Sequence, residues 1–298
     1  MNGFARAALG ATLMTVSLAH LSAGQTPARD DASFIWSKAL PAGSSIVIRN
    51  YNGSIDVRES PNDRVEVRAT KVATNRRAST NDVSFDVREA GTETTICAVY
   101  DGVNICDERR RSIRNIEVRA NFTVLIPRTM RLRLATGNGA ISIDQAGADV
   151  TATTGNGRVS IGETTGRVDA NTGNGDVQIE SARGRVDVST GNGRVFVATS
   201  TGPVNVTTGN GDITVRIRSL QAEAAMSMTS GSGSIRVTLP ADYNGQLDAS
   251  TGNGSLRSEF DISIVGRIDP RRVRGTIGRG GPVLRLHTGN GSVELRKG

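Results

Sequence analysis

Chemistry in this chain would have to come from few residues. There are two histidines, His20 and His287, and two cysteines, Cys97 and Cys106. A lone histidine seldom makes a metal or acid–base site, and no His/Cys cluster has zinc-ligand spacing. Asp169 and Asp187 lie 18 residues apart at equivalent places of a repeat, and paired carboxylates can cleave glycosidic bonds. Thr151 and Asn205 hold the flanking equivalents, so the pair reads as part of a variable polar face. Asp176 and Asp212 carry oxygens of the kind calcium takes, but Arg158 and Arg194 alternate with them, and several oxygen ligands are needed. Residues 172–180 also carry Val177 where a calcium-binding nonapeptide repeat needs Asp. No enzyme activity, metal site or cofactor is expected.

The elements that would position these groups are unusually regular. TGNG begins at Thr136, Thr154, Thr172, Thr190 and Thr208, at intervals of 18, and recurs at Thr251 and Thr288. Ser230 opens a degenerate copy, and Asn50-Tyr51-Asn52-Gly53 reads as a decayed one. Each 18-residue unit holds two short apolar–polar–apolar runs nine residues apart, such as Val159/Ile161 and Val168/Ala170. Strict alternation marks half-buried strands. Spacing by nine favours a flattened two-sheet coil over a triangular one, which needs spacing by six. The expected fold is therefore all-β: a parallel β-solenoid of two sheets with 18-residue coils and hairpin insertions near the N-terminus. Parallel crossovers are nearly always right-handed, so that hand is expected.

TGNG is expected to form the turn of each coil, with glycine supplying positive φ. Stacking would then set Asn138, Asn156, Asn174, Asn192 and Asn210 above one another, with Asn253 and Asn290 in the later copies. Such amides can form a hydrogen-bonded ladder. Arg158, Asp176, Arg194 and Asp212 would alternate in charge along one edge, which favours correct register.

Outside this core the chain divides simply. Residues 1–24 read as a secretory signal peptide, with one positive charge, an apolar stretch and small residues before the cleavage point. Residues 25–134 read as a strand and hairpin portion capping the solenoid. Residues 135–298 form the repetitive solenoid, most regular over 136–216, with an Arg-rich excursion over 262–281. No transmembrane segment is expected after signal removal. Asp101-Gly102 is a two-residue hairpin turn. Counting outward places Cys97 opposite Cys106 in a non-hydrogen-bonded pair, with Cα atoms roughly 4.5 Å apart. In an oxidising compartment they should form a disulfide.

Net charge is +7, carried almost wholly by arginine, and aromatics are 3% of the chain. Trp36, Tyr51, Tyr100 and Tyr243 are scattered, which argues against an aromatic glycan platform or a nucleic-acid surface. Arg109, Arg110, Arg111 and Arg114, with Arg271, Arg272 and Arg274, are the candidate contacts for an anionic envelope surface.

The stretch Asn52-Gly53-Ser54-Ile55-Asp56-Val57, the Leu125-Ile126-Pro127 lead into TGNG, the repeats, and Gly281-Pro282-Val283 before the closing HTGNGSVELRKG resemble the bacterial "putative adhesin" family, a domain of unknown function. The resemblance covers roughly residues 34–298. It implies a β-solenoid in or outside the bacterial cell envelope and supplies no catalytic motif. The expected function is that of an exported, non-catalytic, adhesin-like or structural envelope protein, periplasmic or secreted to the cell surface. Its partner would be an envelope macromolecule, either protein or anionic polysaccharide or lipid. The alternatives are a periplasmic protein-binding or regulatory module and a polysaccharide-acting β-helix enzyme.

Overall fold

The computed structural model describes residues 34–76, 78–107, 117–220, 224–264 and 269–298. The signal peptide expected at 1–24 and Arg109, Arg110, Arg111 and Arg114 lie outside the described residues. The fold is an all-β solenoid in which the described strands make two long sheets. In the regular region each coil gives one strand to each sheet. Val150–Asn156, Val168–Asn174, Val186–Asn192 and Val204–Asn210 stack in one sheet, here called the TGN sheet. Val159–Thr164, Val177–Ala182, Val195–Thr199 and Ile213–Ile217 stack in the facing sheet. All these pairings are parallel, and residue i meets i+18 (Val159 with Val177, Val168 with Val186).

Period-2 alternation explains the layers. Val168, Ala170 and Thr172 face inward and are buried, while Asp169 and Asn171 between them are only half-buried. Three inward side chains per strand fill the gap, where the sequence suggests two. The third is the TGNG threonine in one sheet and Ala146, Thr164, Ala182, Thr199 or Ile217 in the other. Both sheets rest on this single narrow core of Val, Ile and Ala.

The corner differs from the expected turn. Thr, Gly and Asn of each TGNG are the last residues of a strand, and only the final glycine turns the chain. Coils stack about 4.8 Å apart, so the corner backbones nearly touch. A Cβ on Gly175 would stand 2.0 Å from the carbonyl oxygen of Gly157, and Gly175 is not among the positive-φ glycines. Close approach thus demands glycine there, while the equivalent Gly139, Gly157, Gly193 and Gly211 also hold the expected positive φ, at 155–159°.

The ends of the stack depart from chain order. The decayed copy is a true coil: Ser45–Arg49 and Ile55–Glu59 stack on Arg131–Asn138 and Ile141–Ala146. On its other side lie later strands, Glu93–Tyr100 and Val118–Ile126, also parallel. The C-terminal coil behaves likewise. Val283–Asn290 lies between Met226–Ser232 and Gly245–Asn253, and Val293–Lys297 between Ile235–Leu239 and Leu256–Ser258. An early coil and the last coil are therefore each clamped inside the stack.

Antiparallel strands close the outside. Val65–Ala73 and Phe34–Lys38 extend the facing sheet, and Val83–Ala90 extends the TGN sheet. At the opposite end Arg272–Ile277 and Ile262–Ser263, from the Arg-rich excursion, cap the TGN sheet. Reversed strands stop further parallel stacking at exposed edges.

Cys97 and Cys106 form a disulfide, with Cα atoms 6.0 Å apart. The expected ladder pair is not formed. The hairpin register holds for Tyr100–Val103 and Val99–Asn104 and ends there. Cys97 pairs instead with Arg49 and Asp86, because its strand lies between Ser45–Arg49 and Val83–Ala90 in the TGN sheet. The bond therefore ties the hairpin end over a sheet strand instead of across a continued ladder.

Deleting residues 282–298 removes one strand from within each sheet. It should abolish the cooperative thermal transition followed by circular dichroism. Deleting the edge strand Phe34–Lys38 together with the residues before it should lower the midpoint by only a few degrees. A near-native transition in the first variant would contradict the clamped topology.

Candidate interaction surface

The TGNG residues have three separate tasks. The threonine faces inward, and its hydroxyl donates to the carbonyl of the preceding coil's corner glycine. Thr136, Thr154, Thr172 and Thr190 reach Gly53, Gly139, Gly157 and Gly175 at 2.9–3.0 Å. Thr208, Ser230, Thr288 and Thr251 continue the series to Gly193, Gly211, Gly233 and Gly291. These hydroxyls satisfy carbonyls that the corner leaves without a strand partner. Sequence reasoning missed this role; the signal was a threonine at a position where every inward neighbour is apolar.

The asparagines form the expected ladder on the exposed edge. Each Nδ2 donates to the Oδ1 one coil back, from Asn210 through Asn192, Asn174 and Asn156 to Asn138, at 2.8–2.9 Å. Asn253 donates to Asn290 at 2.8 Å, and Ser232 stands between Asn290 and Asn210. Beneath, the corner amides bond coil to coil, as from Gly157 N–H to the Asn174 carbonyl at 2.9 Å.

Beside this edge lies the outer face of the TGN sheet. One lane runs Thr151, Asp169, Asp187, Asn205, Ser227, and the next runs Thr153, Asn171, Ser189, Thr207, Thr229. A third lane is all glycine. Short polar groups thus recur at the coil spacing on this outer face. His287 joins the second lane, its Nδ1 2.8 Å from the Ser250 hydroxyl.

The charges around Asp176 and Asp187 are compensated. Asp176 accepts the Arg194 backbone N–H at 2.8 Å, with the Arg158 and Arg194 guanidiniums at 3.3 and 3.5 Å. That backbone hydrogen bond, with the two arginines, holds its carboxyl below the ordinary range. For Asp187, burial acts to raise the pKa. The Arg185 and Asn205 hydrogen bonds and the Arg167 charge outweigh it and hold the group down. Asp169, its stacked neighbour, accepts from Asn171 at 2.6 Å. Of the other sequence candidates, Arg272 and Arg274 share Asp248 at 3.7 and 3.2 Å. Arg271 is exposed beside them at the C-terminal cap. No group of three or more His, Cys, Asp or Glu suited to a metal occurs among the described residues. Nor is any described helix long and apolar enough to cross a membrane.

The Toastrack DUF4097 family model matches residues 44–296, which takes in both clamped coils and the whole TGNG series. The chain belongs to the Toastrack DUF4097 family. The family resemblance read from the sequence therefore holds. No curated protein matches. Solved structures similar to this Toastrack chain include a "putative adhesin" from Parabacteroides merdae ATCC 43184, 11% identical, covering 89% of this chain and 96% of that one, with a TM-score of 0.46. A "putative adhesin" from Bacteroides fragilis NCTC 9343 is 11% identical and covers 89% and 97%, with a TM-score of 0.37. A "putative cell adhesion protein" from Clostridium sporogenes ATCC 15579 is 8% identical and covers 90% and 100%, at 0.29.

Two outcomes are expected of the Toastrack corner and its charges. Thr172→Val leaves the Gly157 carbonyl unanswered and should cost about 1–3 kcal/mol in denaturant unfolding. Gly175→Ala should cost a similar roughly 1–3 kcal/mol through overpacking, whereas Thr153→Val on the outer lane should stay within about 0.5 kcal/mol. The depressed carboxylates set the sign of the pH effect. Their stabilisation is present above the unfolded Asp value, about 3.9, and is lost as pH falls through the lower folded values. The melting temperature should hold from neutral pH down to about 5 and drop below about 4. In the Asp176→Asn, Asp187→Asn double variant that drop should be shallower.

Proposed function

We propose that this chain is an exported, non-catalytic envelope protein, adhesin-like in that its rigid TGN face binds an envelope macromolecule. The observation that carries this reading is the continuous repetition of the outer face. Short polar side chains repeat along two lanes over successive coils beside a smooth glycine lane. A periodic surface suits an extended partner that is itself periodic, and a rigid one loses little entropy on binding. Membership of a family whose name assigns no activity is consistent with this.

The carboxylates support binding over catalysis. Glycoside cleavage needs one carboxyl held protonated near neutral pH. Asp187 is shifted the opposite way by Arg185, Asn205 and Arg167. Export agrees with the signal-like residues 1–24 and with the Cys97–Cys106 disulfide, since disulfides persist in oxidising compartments. Arg272 and Arg274 place two positive charges on a single carboxylate, Asp248, with Arg271 exposed nearby, which suits an anionic surface. We assign the same role to Arg109, Arg110, Arg111 and Arg114.

The test is retention of envelope extract by the chain starting at Gln25, at low and high salt. Capture of polysaccharide or lipid that weakens at high salt is the expected result. Capture should weaken again when Arg271, Arg272 and Arg274, or Arg109, Arg110 and Arg111, become Ser. Retention of one discrete protein at both salts would overturn the adhesin-like reading, as would turnover of any glycan.

A further inference from the structure

A trough of about 540 Å³ lies on the outer TGN face near the N-terminal end of the stack. The strand register shapes it. Ala135 lies between Arg49 on one neighbouring strand and Thr153 on the other. Gly137 lies beside Tyr51, where an added Cβ would stand 2.6 Å from the Tyr51 carbonyl oxygen and 3.6 Å from its ring. Small residues thus make the floor and longer ones the sides. The disulfide builds one side: Cys97 is the register partner of Arg49, and its bond to Cys106 brings Ile105 to the trough. Val47 points outward between inward Ile46 and Ile48, yet is only 5% exposed.

The polar groups of this trough are unequal. Glu93 is compensated by Arg133 at 3.0 Å. Arg49 is exposed, and its guanidinium has no hydrogen-bond or ion-pair partner among the described residues. Tyr51 is 37% exposed. It is held by its N–H bond to Asn50 Oδ1 at 2.9 Å and by edge contact with the Tyr100 ring at 6.2 Å. Tyr100 is itself fixed, its hydroxyl donating to Asn50 Oδ1 at 2.7 Å. Among the described residues the site therefore offers one guanidinium without a side-chain partner, one braced aromatic ring, an aliphatic wall and the Thr151 and Thr153 hydroxyls.

We propose that the trough binds a carboxylated sugar unit of an envelope polysaccharide; this deepens, and rests on, the reading of the TGN face as a binding surface. The carboxylate meets Arg49, which can take it bidentately. The C–H face of the sugar ring lies against Tyr51 and Ile105, and its hydroxyls meet Thr151 and Thr153. A peptide strand is disfavoured, because Arg131–Asn138 beneath is already paired on both sides and offers no backbone edge. A neutral sugar would leave Arg49 unanswered. From the trough a longer polymer can continue along the polar lanes.

The test is calorimetric titration with a galacturonate trimer and, in parallel, a neutral galactose trimer. The acidic trimer should bind, and the neutral one at least tenfold more weakly. Arg49→Gln should lose at least tenfold and Ala135→Leu, which fills the floor, should abolish binding. Thr207→Leu, farther along the same face, should bind like the unaltered protein. Circular dichroism melting of each variant verifies the fold. The inference is overturned if the acidic trimer does not bind, if both trimers bind equally, or if Arg49→Gln and Ala135→Leu bind undiminished. Retention of envelope extract separates the two readings. A chain that retains extract but ignores the trimer loses only this inference; a chain that retains nothing loses both.

Discussion

Stacked backbones about 4.8 Å apart leave no room for a Cβ where they turn a corner. In this chain that exclusion applies at every coil of the regular stack, as the Gly157–Gly175 contact shows. A corner so tight also leaves a glycine carbonyl without a strand partner, and burial makes an unpaired carbonyl costly. The threonine three residues before the next corner glycine answers it. Asparagine between them turns outward and bonds to its counterparts above and below. Thus TGNG is one solution to three simultaneous demands: space, a donor and edge cohesion.

A stack built this way is only as stable as its ends, because each coil touches only its neighbours. This chain clamps an early coil and its last coil between others and places antiparallel strands outside them. Opening an end therefore requires pulling strands from within both sheets. The polar lanes of the outer TGN face keep the coil spacing through the regular stack. The disulfide hairpin gives that face relief, bringing Ile105 beside Arg49 and Tyr51.

Much of this was legible in the residues. The 18-residue interval, the alternation in Val159/Ile161 and Val168/Ala170, and the decayed copy at Asn52-Gly53 all map onto the observed coils. What stayed hidden was non-local. Nothing local in HTGNG at His287 tells that it lies between Ser230 and Thr251, because each copy could stack on any other. The disulfide spacing followed from hairpin symmetry, which fails once Cys97 is claimed by Arg49 and Asp86 in the sheet. The trough was hidden for the same reason. Tyr51 looked isolated in sequence, and only the register of Ser45–Arg49 beside Arg131–Asn138 brings it and Arg49 to Ala135 and Thr153.

The central claim is that the corner is a hydrogen-bonded ladder continuous with the sheets and is not a series of surface loops. Amide hydrogen exchange resolved to single residues tests it most directly. The Gly139, Gly157, Gly175 and Gly193 amides donate to the Asn156, Asn174, Asn192 and Asn210 carbonyls. They should be protected to the same degree as the buried strand amides of Val159 and Val177, and should exchange only with global opening. Exchange at these glycines as fast as at the exposed Asp101-Gly102 turn, with the strands still protected, would contradict the account.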